Sequence, residues 1–172
     1  GLFYGFTTLD QIAEDAALQG VNLPLIQIKD YPELTYRSVH WDVKHHLDKE
    51  AYYYDLIDKM SRQKVNGVIL EIEDKLKYNS HPNIGSADAF SSSQWLAISE
   101  YANERHISIS PLVQGLGHAS FILKHPKYFE LRDDPVSDWA FNPLNPKTYE
   151  VQFDLYDEAI SITPYGKYLH VG

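Results

Sequence analysis

The chain has no cysteine among its 172 residues, which excludes disulfides, thiolate nucleophiles and Cys-ligated metals and leaves the compartment open. It has no stretch approaching the ~20 consecutive apolar residues of a membrane-crossing helix, so no membrane span is expected. Positive charge is scarce: 15 Lys and Arg stand against 24 Asp and Glu, a net charge of -9. Phosphate binding needs clustered cations, so no nucleic-acid partner is expected. No H-E-x-x-H and no tight His/carboxylate spacing occurs, so no metal is expected. A G-x-S-x-G nucleophile elbow and a phosphate loop are missing as well, and no cofactor is expected. The first ten residues, "GLFYGFTTLD", lack the basic n-region of a targeting signal.

What is present is a globular composition, with 44% hydrophobic and 23% charged residues. Tyrosine is abundant, at 13 residues; such rings suit sugar faces and equally fill ordinary cores. Residues 1–18 read as a helix with Thr7 or Thr8 as its cap, ended by Gly20. "LPLIQIKDYP" (23–32) alternates like a short strand. Four strand-then-helix units follow. Their strands are "YRSVHWDV" (36–43), "NGVILEIE" (66–73), "ISISPLV" (107–113) and "KYLHV" (167–171); helices are expected over 49–63, 92–105 and 147–162. Strands alternating with helices predict parallel βα units.

Polar residues gather where each strand ends: Trp41, Asp42 and Lys44; Glu71, Glu73 and Asp74; Gln114, Gly115, Gly117 and His118; and His170-Val171-Gly172. In parallel α/β folds ligands bind at that edge of the sheet. Each group also has an ordinary alternative. Asp42 could brace its loop, the "EIED" acids could be a solvated strand end, and His118 could be a satisfied hydrogen-bonder. His45-His46 and His81-Pro82 read as surface loops, and His106 and His125 as helix and turn ends.

The stretches "EIEDKLKY", "PLVQGLGHASFILKHPKYFELR", "NPLNPKTYE" and "YLHVG" resemble family 20 glycoside hydrolases, in particular the hexosaminidase D-like branch of the β-N-acetylhexosaminidases. "GLFYGFTTLDQI…LPLIQIKDYPELTYRS" resembles the approach to that family's catalytic barrel. The resemblance implies an α/β (β/α)8 TIM-type barrel. Residues 1–34 would end a preceding α/β domain and linker, and 35–172 would form about the first four βα units, a half-barrel. It implies hydrolysis of terminal N-acetylhexosamine from a glycan, with the substrate's own acetamido group as nucleophile. The catalytic Asp-Glu pair is expected just after Gly172, so the 172-residue stretch alone is expected to be inactive. A carbohydrate-binding protein that kept the rim and lost the acids is the alternative.

Carried over by position, Arg37 would grip sugar hydroxyls, and Asp42, Gln114 and His170 would complete the substrate-binding set. Glu73, Asp74 and His118 would form a supporting relay that tunes the acid. Gln114 stands where most of the family has Asp, and Leu116 stands where it has Pro. "ILEIEDKL" replaces a "HWHLTDDQ" type of motif. Exposed half-barrel edges and an apolar inner face predict self-association.

Overall fold

The computed structural model describes all residues 1–172. Helix α1 spans Leu2–Gln19, α2 Glu50–Arg62, α3 Ser92–Glu104, α4 Ser120–Leu123 and α5 Pro146–Ser161. Strands β1 (Ser38–Asp42), β2 (Gly67–Glu71) and β3 (Ser108–Leu112) form one parallel sheet in the order β1-β2-β3. The register sets Asp42 opposite Glu71 and Glu71 opposite Leu112.

Local chemistry explains the helix ends. Ser91 and Gln94 close a reciprocal capping box at the start of α3. Asn145 caps α5, and Pro146 occupies a first-turn position whose N–H has no helical acceptor. Thr7 and Thr8 do not cap α1, because the helix already begins at Leu2. Their hydroxyls donate back to the carbonyls of Phe3 (3.1 Å) and Tyr4 (3.0 Å). Gly20 ends α1 in the left-handed region at φ 65°, as expected.

The fourth segment joins β3 by a parallel bridge between Leu112 and His170. The His170 N–H donates to Pro111 (2.9 Å), and the N–H groups of Val113 and Gly115 donate to His170 (3.0 Å) and Val171 (2.9 Å). Pro111 turns its missing N–H toward this segment, so the β2–β3 ladder loses nothing and pairing on the other side stays short. Ser110 Oγ makes up part of the loss by accepting the N–H groups of Lys167 (3.1 Å) and Tyr168 (3.3 Å).

The strand expected over 23–32 does not form. Its apolar residues are exposed, Leu25 fully so, and no neighbouring strand accepts its backbone. Alternation without a partner or a face to bury does not hold an isolated strand in water.

Side chains alternate across the sheet. One face presents Trp41, Val43, Val68, Leu70, Ile72, Ile109 and Val113 to the helices, inside a core of 28 buried residues that includes Tyr53, Ile57, Trp95, Ile98, Leu155 and Ala159. The other face carries His40, Asp42, Ile69, Glu71, Ser108 and Ser110, in register across the strands. The inner face is therefore largely polar, which corrects the apolar one expected from the sequence. Two-residue alternation sends every β-branched or large apolar side chain except Ile69 and Leu112 to the helices. At the amino end of the sheet the Tyr36 ring lies over Gly67, where an added Cβ would run into it. Glycine is required there by that close approach.

Candidate active-site rim

Glu71 ends β2 on the inner face and is 4% exposed. Its carboxylate accepts from Lys44 Nζ (2.9 Å) and Gln114 Nε2 (2.8 Å), and His40 Nε2 lies 2.9 Å from its second oxygen. Lys44 reaches back to Asp42, with Nζ 2.7 Å from Oδ2 and its N–H donating to Oδ1 at 3.2 Å. Two flanking segments, one from β1 and one from the end of β3, thus converge on one buried acid at the carboxyl edge of the sheet. Burial alone would raise the Glu71 carboxyl; the Lys44 ammonium and the Gln114 amide outweigh it and hold the acid below its usual range. Burial would likewise lower Lys44, but Asp42 and Glu71 overcome it and raise the ammonium above its usual value. Asp42 is held low by the same ammonium against the pull of burial.

Glu73 stands two residues on, 8% exposed, at φ 38° in a one-turn 3-10 helix over Glu73–Lys75. Burial pushes its carboxyl up to about 7; Lys44 opposes this, and the charges of Glu71, Asp42 and Asp74 add to it. The buried Tyr78 hydroxyl donates to the Glu73 carbonyl at 3.0 Å, which fixes this strained residue in place. Asp74 faces Lys75 (3.4 Å) and Lys124 (3.7 Å), and its Oδ1 is buried without a hydrogen-bond partner.

The expected site residues divide into three groups. Asp42, Gln114, Glu73 and Asp74 lie on the rim, with Gln114 and Asp42 directly in the Glu71 network. His118 also follows β3, but it is exposed and makes no hydrogen bond to Glu73 or Asp74. It sits at φ 54° with its ring 4.2 Å from that of Trp139. His170 lies at the far side, its Nδ1 accepting the Gly172 N–H at 3.1 Å.

Arg37 lies apart from these residues. It precedes β1, about 16 Å from Asp42 at ~3.3 Å per strand residue. Its guanidinium donates to the carbonyls of Lys64 (2.8 Å) and Leu34 (2.8 Å) and ties the chain at the amino edge of the sheet. A cavity of about 760 Å³ also lies there, between α1 and the segment before β1, with Arg37, Leu23, Ile26 and Tyr31 among its walls. Lys64 and Asp30 in its walls are bonded to each other, and none of the rim residues lines it.

Lys44 and Glu71 stand in the sequence among the strand-end polar residues, whereas His40, inside β1, carries no such signal. Register was the usable signal, since Glu71 shares two-residue parity with the inner face and with Asp42 across the ladder. The surface-loop expectation for His81 fails. It is 7% exposed, with Nδ1 2.9 Å from the Tyr128 hydroxyl and Nε2 3.1 Å from Asp154 Oδ2. Beside it, Glu158 accepts the backbone N–H groups of Asn79 and Ser80, both at 2.8 Å, so α5 clamps the loop that carries Glu73 and Asp74.

No helix is long and apolar enough to cross a membrane. Among curated proteins, the chain is 28% identical over 137 residues to hexosaminidase D of Bos taurus, covering 79% of this chain and 40% of that protein. It is 25% identical to a β-hexosaminidase of Emericella nidulans, covering all of this chain and 32% of the relative. The chain therefore spans well under half the length of these relatives. Among solved structures, a Flavobacterium johnsoniae chitobiase superposes with a TM-score of 0.72 at 27% identity, over 83% of this chain and 24% of that one. A β-N-acetylhexosaminidase crystal structure superposes over 99% of this chain and 42% of the other, with a TM-score of 0.85 at 22% identity. These likenesses establish an α/β fold of TIM-barrel type. The sequence profile of glycosyl hydrolase family 20, catalytic domain, matches residues 27–172, and the chain belongs to that family.

Proposed function

We propose that this chain supplies the first part of the sugar-binding rim of a retaining exo-β-N-acetylhexosaminidase, which removes terminal GlcNAc or GalNAc from a glycan. The observation that carries this is the buried Glu71 network, which sets Lys44, Asp42, Gln114 and His40 at the carboxyl edge of a parallel sheet. Such a cluster offers ammonium and amide donors beside carboxylate acceptors, the complement of vicinal hydroxyls. On this reading residues 35–172 form about the first four βα units and residues 1–34 close a preceding domain. An Asp-Glu pair beyond Gly172 performs the chemistry. The Glu protonates the leaving oxygen, and the Asp orients the 2-acetamido group as it attacks the anomeric carbon.

Within the chain, the rim residues bind and orient the sugar. Glu73, whose carboxyl titrates at about 7, holds a proton near neutrality beside the reacting groups, as a residue that tunes an acid must. Asp74 belongs to the same support. The test is hydrolysis by the full-length protein of aryl β-N-acetylglucosaminides and galactosaminides against the corresponding glucosides, which lack the acetamido nucleophile. The proposal expects turnover of the first pair only. Sugar binding without turnover would favour a lectin-like role, and turnover of the glucosides would remove substrate assistance.

A further inference from the structure

The loop from Glu73 to Phe90 closes on itself at its base. The Ser86 N–H (2.8 Å) and hydroxyl (3.0 Å) donate to the Asp74 carbonyl, and the N–H groups of Lys77 and Phe90 donate to Phe90 (2.9 Å) and Lys75 (3.1 Å). Its far end, residues 79–81, is held differently. The hydrogen bonds that its side chains and N–H groups make outside the loop run to Tyr128 and to two acids of α5, Asp154 and Glu158. These carboxylates stand four residues apart, one turn along the same side of the helix, where like charges repel unless each has donors of its own. Residues 79–81 supply them. Glu158 Oε2 accepts the Asn79 N–H (2.8 Å) and Nδ2 (3.3 Å), and Oε1 accepts the Ser80 N–H (2.8 Å) and hydroxyl. Asp154 faces His81 Nε2 at 3.1 Å. Burial would raise the Glu158 carboxyl; its four donors outweigh that and hold it below the usual range, so the clamp is charged at neutral pH.

The grip passes on to Glu73. Tyr78, directly before Asn79, is 2% exposed, and its hydroxyl donates to the Glu73 carbonyl (3.0 Å). Glu73 sits at φ 38°, a conformation that a glutamate keeps only where its surroundings impose it. With Asn79 and Ser80 fixed, the Tyr78 ring is fixed as well, and Glu73 stays turned into its buried position. The charged groups facing Glu73 are Lys44, Glu71, Asp42 and Asp74, from the ends of β1 and β2 and from the loop itself. Helix α5 acts on Glu73 by placing the chain.

We propose that Glu158, assisted by Asp154 through His81, is a positioning residue for Glu73: α5 holds residues 79–81 and, through Tyr78, keeps the Glu73 carboxyl out of water. This rests on the reading of Glu73 as the group that tunes the acid, and it adds the helix residue on which that tuning depends. Releasing the clamp lets the loop open and water reach Glu73, whose carboxyl then titrates closer to its ordinary value.

The experiment compares the full-length wild type with Glu158→Ala, each with and without Glu73→Gln, by urea denaturation midpoints at pH 4.5 and 8. In the wild-type background Glu73→Gln flattens the loss of stability across this window. In the Glu158→Ala background the same change should have less than about half that effect. The limb that Glu73 contributes to the pH profile of kcat/KM on an aryl N-acetylhexosaminide should move about one unit toward acid, part of the way from about 7 to 4.5. Glu158→Gln keeps one acceptor oxygen and should lie between, and it carries the comparison if Glu158→Ala does not fold. Gly67→Ala, destabilising at the opposite edge of the sheet, should move neither readout. An undiminished Glu73→Gln effect in the Glu158 variants overturns the positioning role, as does an equal loss of that effect in Gly67→Ala. If wild type hydrolyses no N-acetylhexosaminide, the glycosidase reading fails separately, and the denaturation comparison still decides the clamp.

Discussion

Replacing Glu71 with alanine removes the acceptor shared by Lys44, Gln114 and His40. Hydrogen bonds to charged groups contribute about 1.5–3 kcal/mol each, and breaking a buried ion pair costs about 3–5 kcal/mol. The full sum does not apply here. His40 is 52% exposed in its side chain and can rehydrate, and Lys44 keeps Asp42 at 2.7 Å. The stranded group is the buried Gln114 amide, so Glu71→Ala should cost about 3 kcal/mol. Lys44→Met should cost a similar amount by leaving the Glu71 carboxylate buried without its cation. The double change Lys44→Met with Glu71→Ala should fall short of additivity by about 1–3 kcal/mol. Urea denaturation followed by tryptophan fluorescence measures all four corners of this cycle. The pH dependence follows from linkage. The Glu71 carboxyl is held below its ordinary value of 4.5, so its contribution is present above that pH and is lost as pH falls through the depressed folded value. Wild type and Glu71→Ala should therefore differ at pH 7 and converge in acid. Additive costs at pH 7, or a Glu71→Ala penalty below about 1 kcal/mol, would refute the network as a buried, mutually dependent unit.

Other expectations follow from the same geometry. Glu73 has a folded carboxyl raised from 4.5 to about 7, so the folded state binds its proton more tightly and loses stability as pH rises through that window. Glu73→Gln should flatten that decline, a difference of about 3 kcal/mol between pH 4.5 and 8 in paired denaturation curves. An unaltered slope would mean that its side chain is solvated. Gly67→Ala drives a methyl into the Tyr36 ring and should cost about 1–3 kcal/mol by the same assay. Arg37→Ala should lower the melting temperature of the full-length protein and leave KM for an aryl N-acetylhexosaminide unchanged. A large rise in KM would restore Arg37 to the substrate site.

Much of the scaffold was legible because its signals are local. The helices over 50–62, 92–104 and 146–161 and the strands β1 to β3 lie within two residues of where periodicity and flanking residues put them. The supposed strand at 23–32 shows the limit. Its alternation is real, but strand formation needs a partner, and the residues that might supply one are not encoded in the segment itself. The place of Arg37, apart from the rim residues, was not legible for a related reason. Adjacency to a strand does not say which end of the sheet a side chain serves, and the two ends have opposite meanings in a parallel fold. The rule that ligands meet strand carboxyl ends points to Asp42, Gln114, Glu73 and Asp74, and the structure sets these four at that edge. Glu71 needed parity as well: Glu71 and Glu73 are two residues apart, yet the chain leaves the strand between them, and only the first stays in the ladder. His81 was unreadable, since its partners Tyr128 and Asp154 lie 47 and 73 residues away.

The most direct test of the central claim is a crystal structure of the full-length protein with a bound N-acetylhexosamine. The account predicts that the sugar hydroxyls lie within hydrogen-bond distance of the rim formed by Asp42, Lys44 and Gln114, above the Glu71 carboxylate. A sugar bound instead at the amino-edge cavity beside Arg37, or one that leaves all three rim residues untouched, would contradict it.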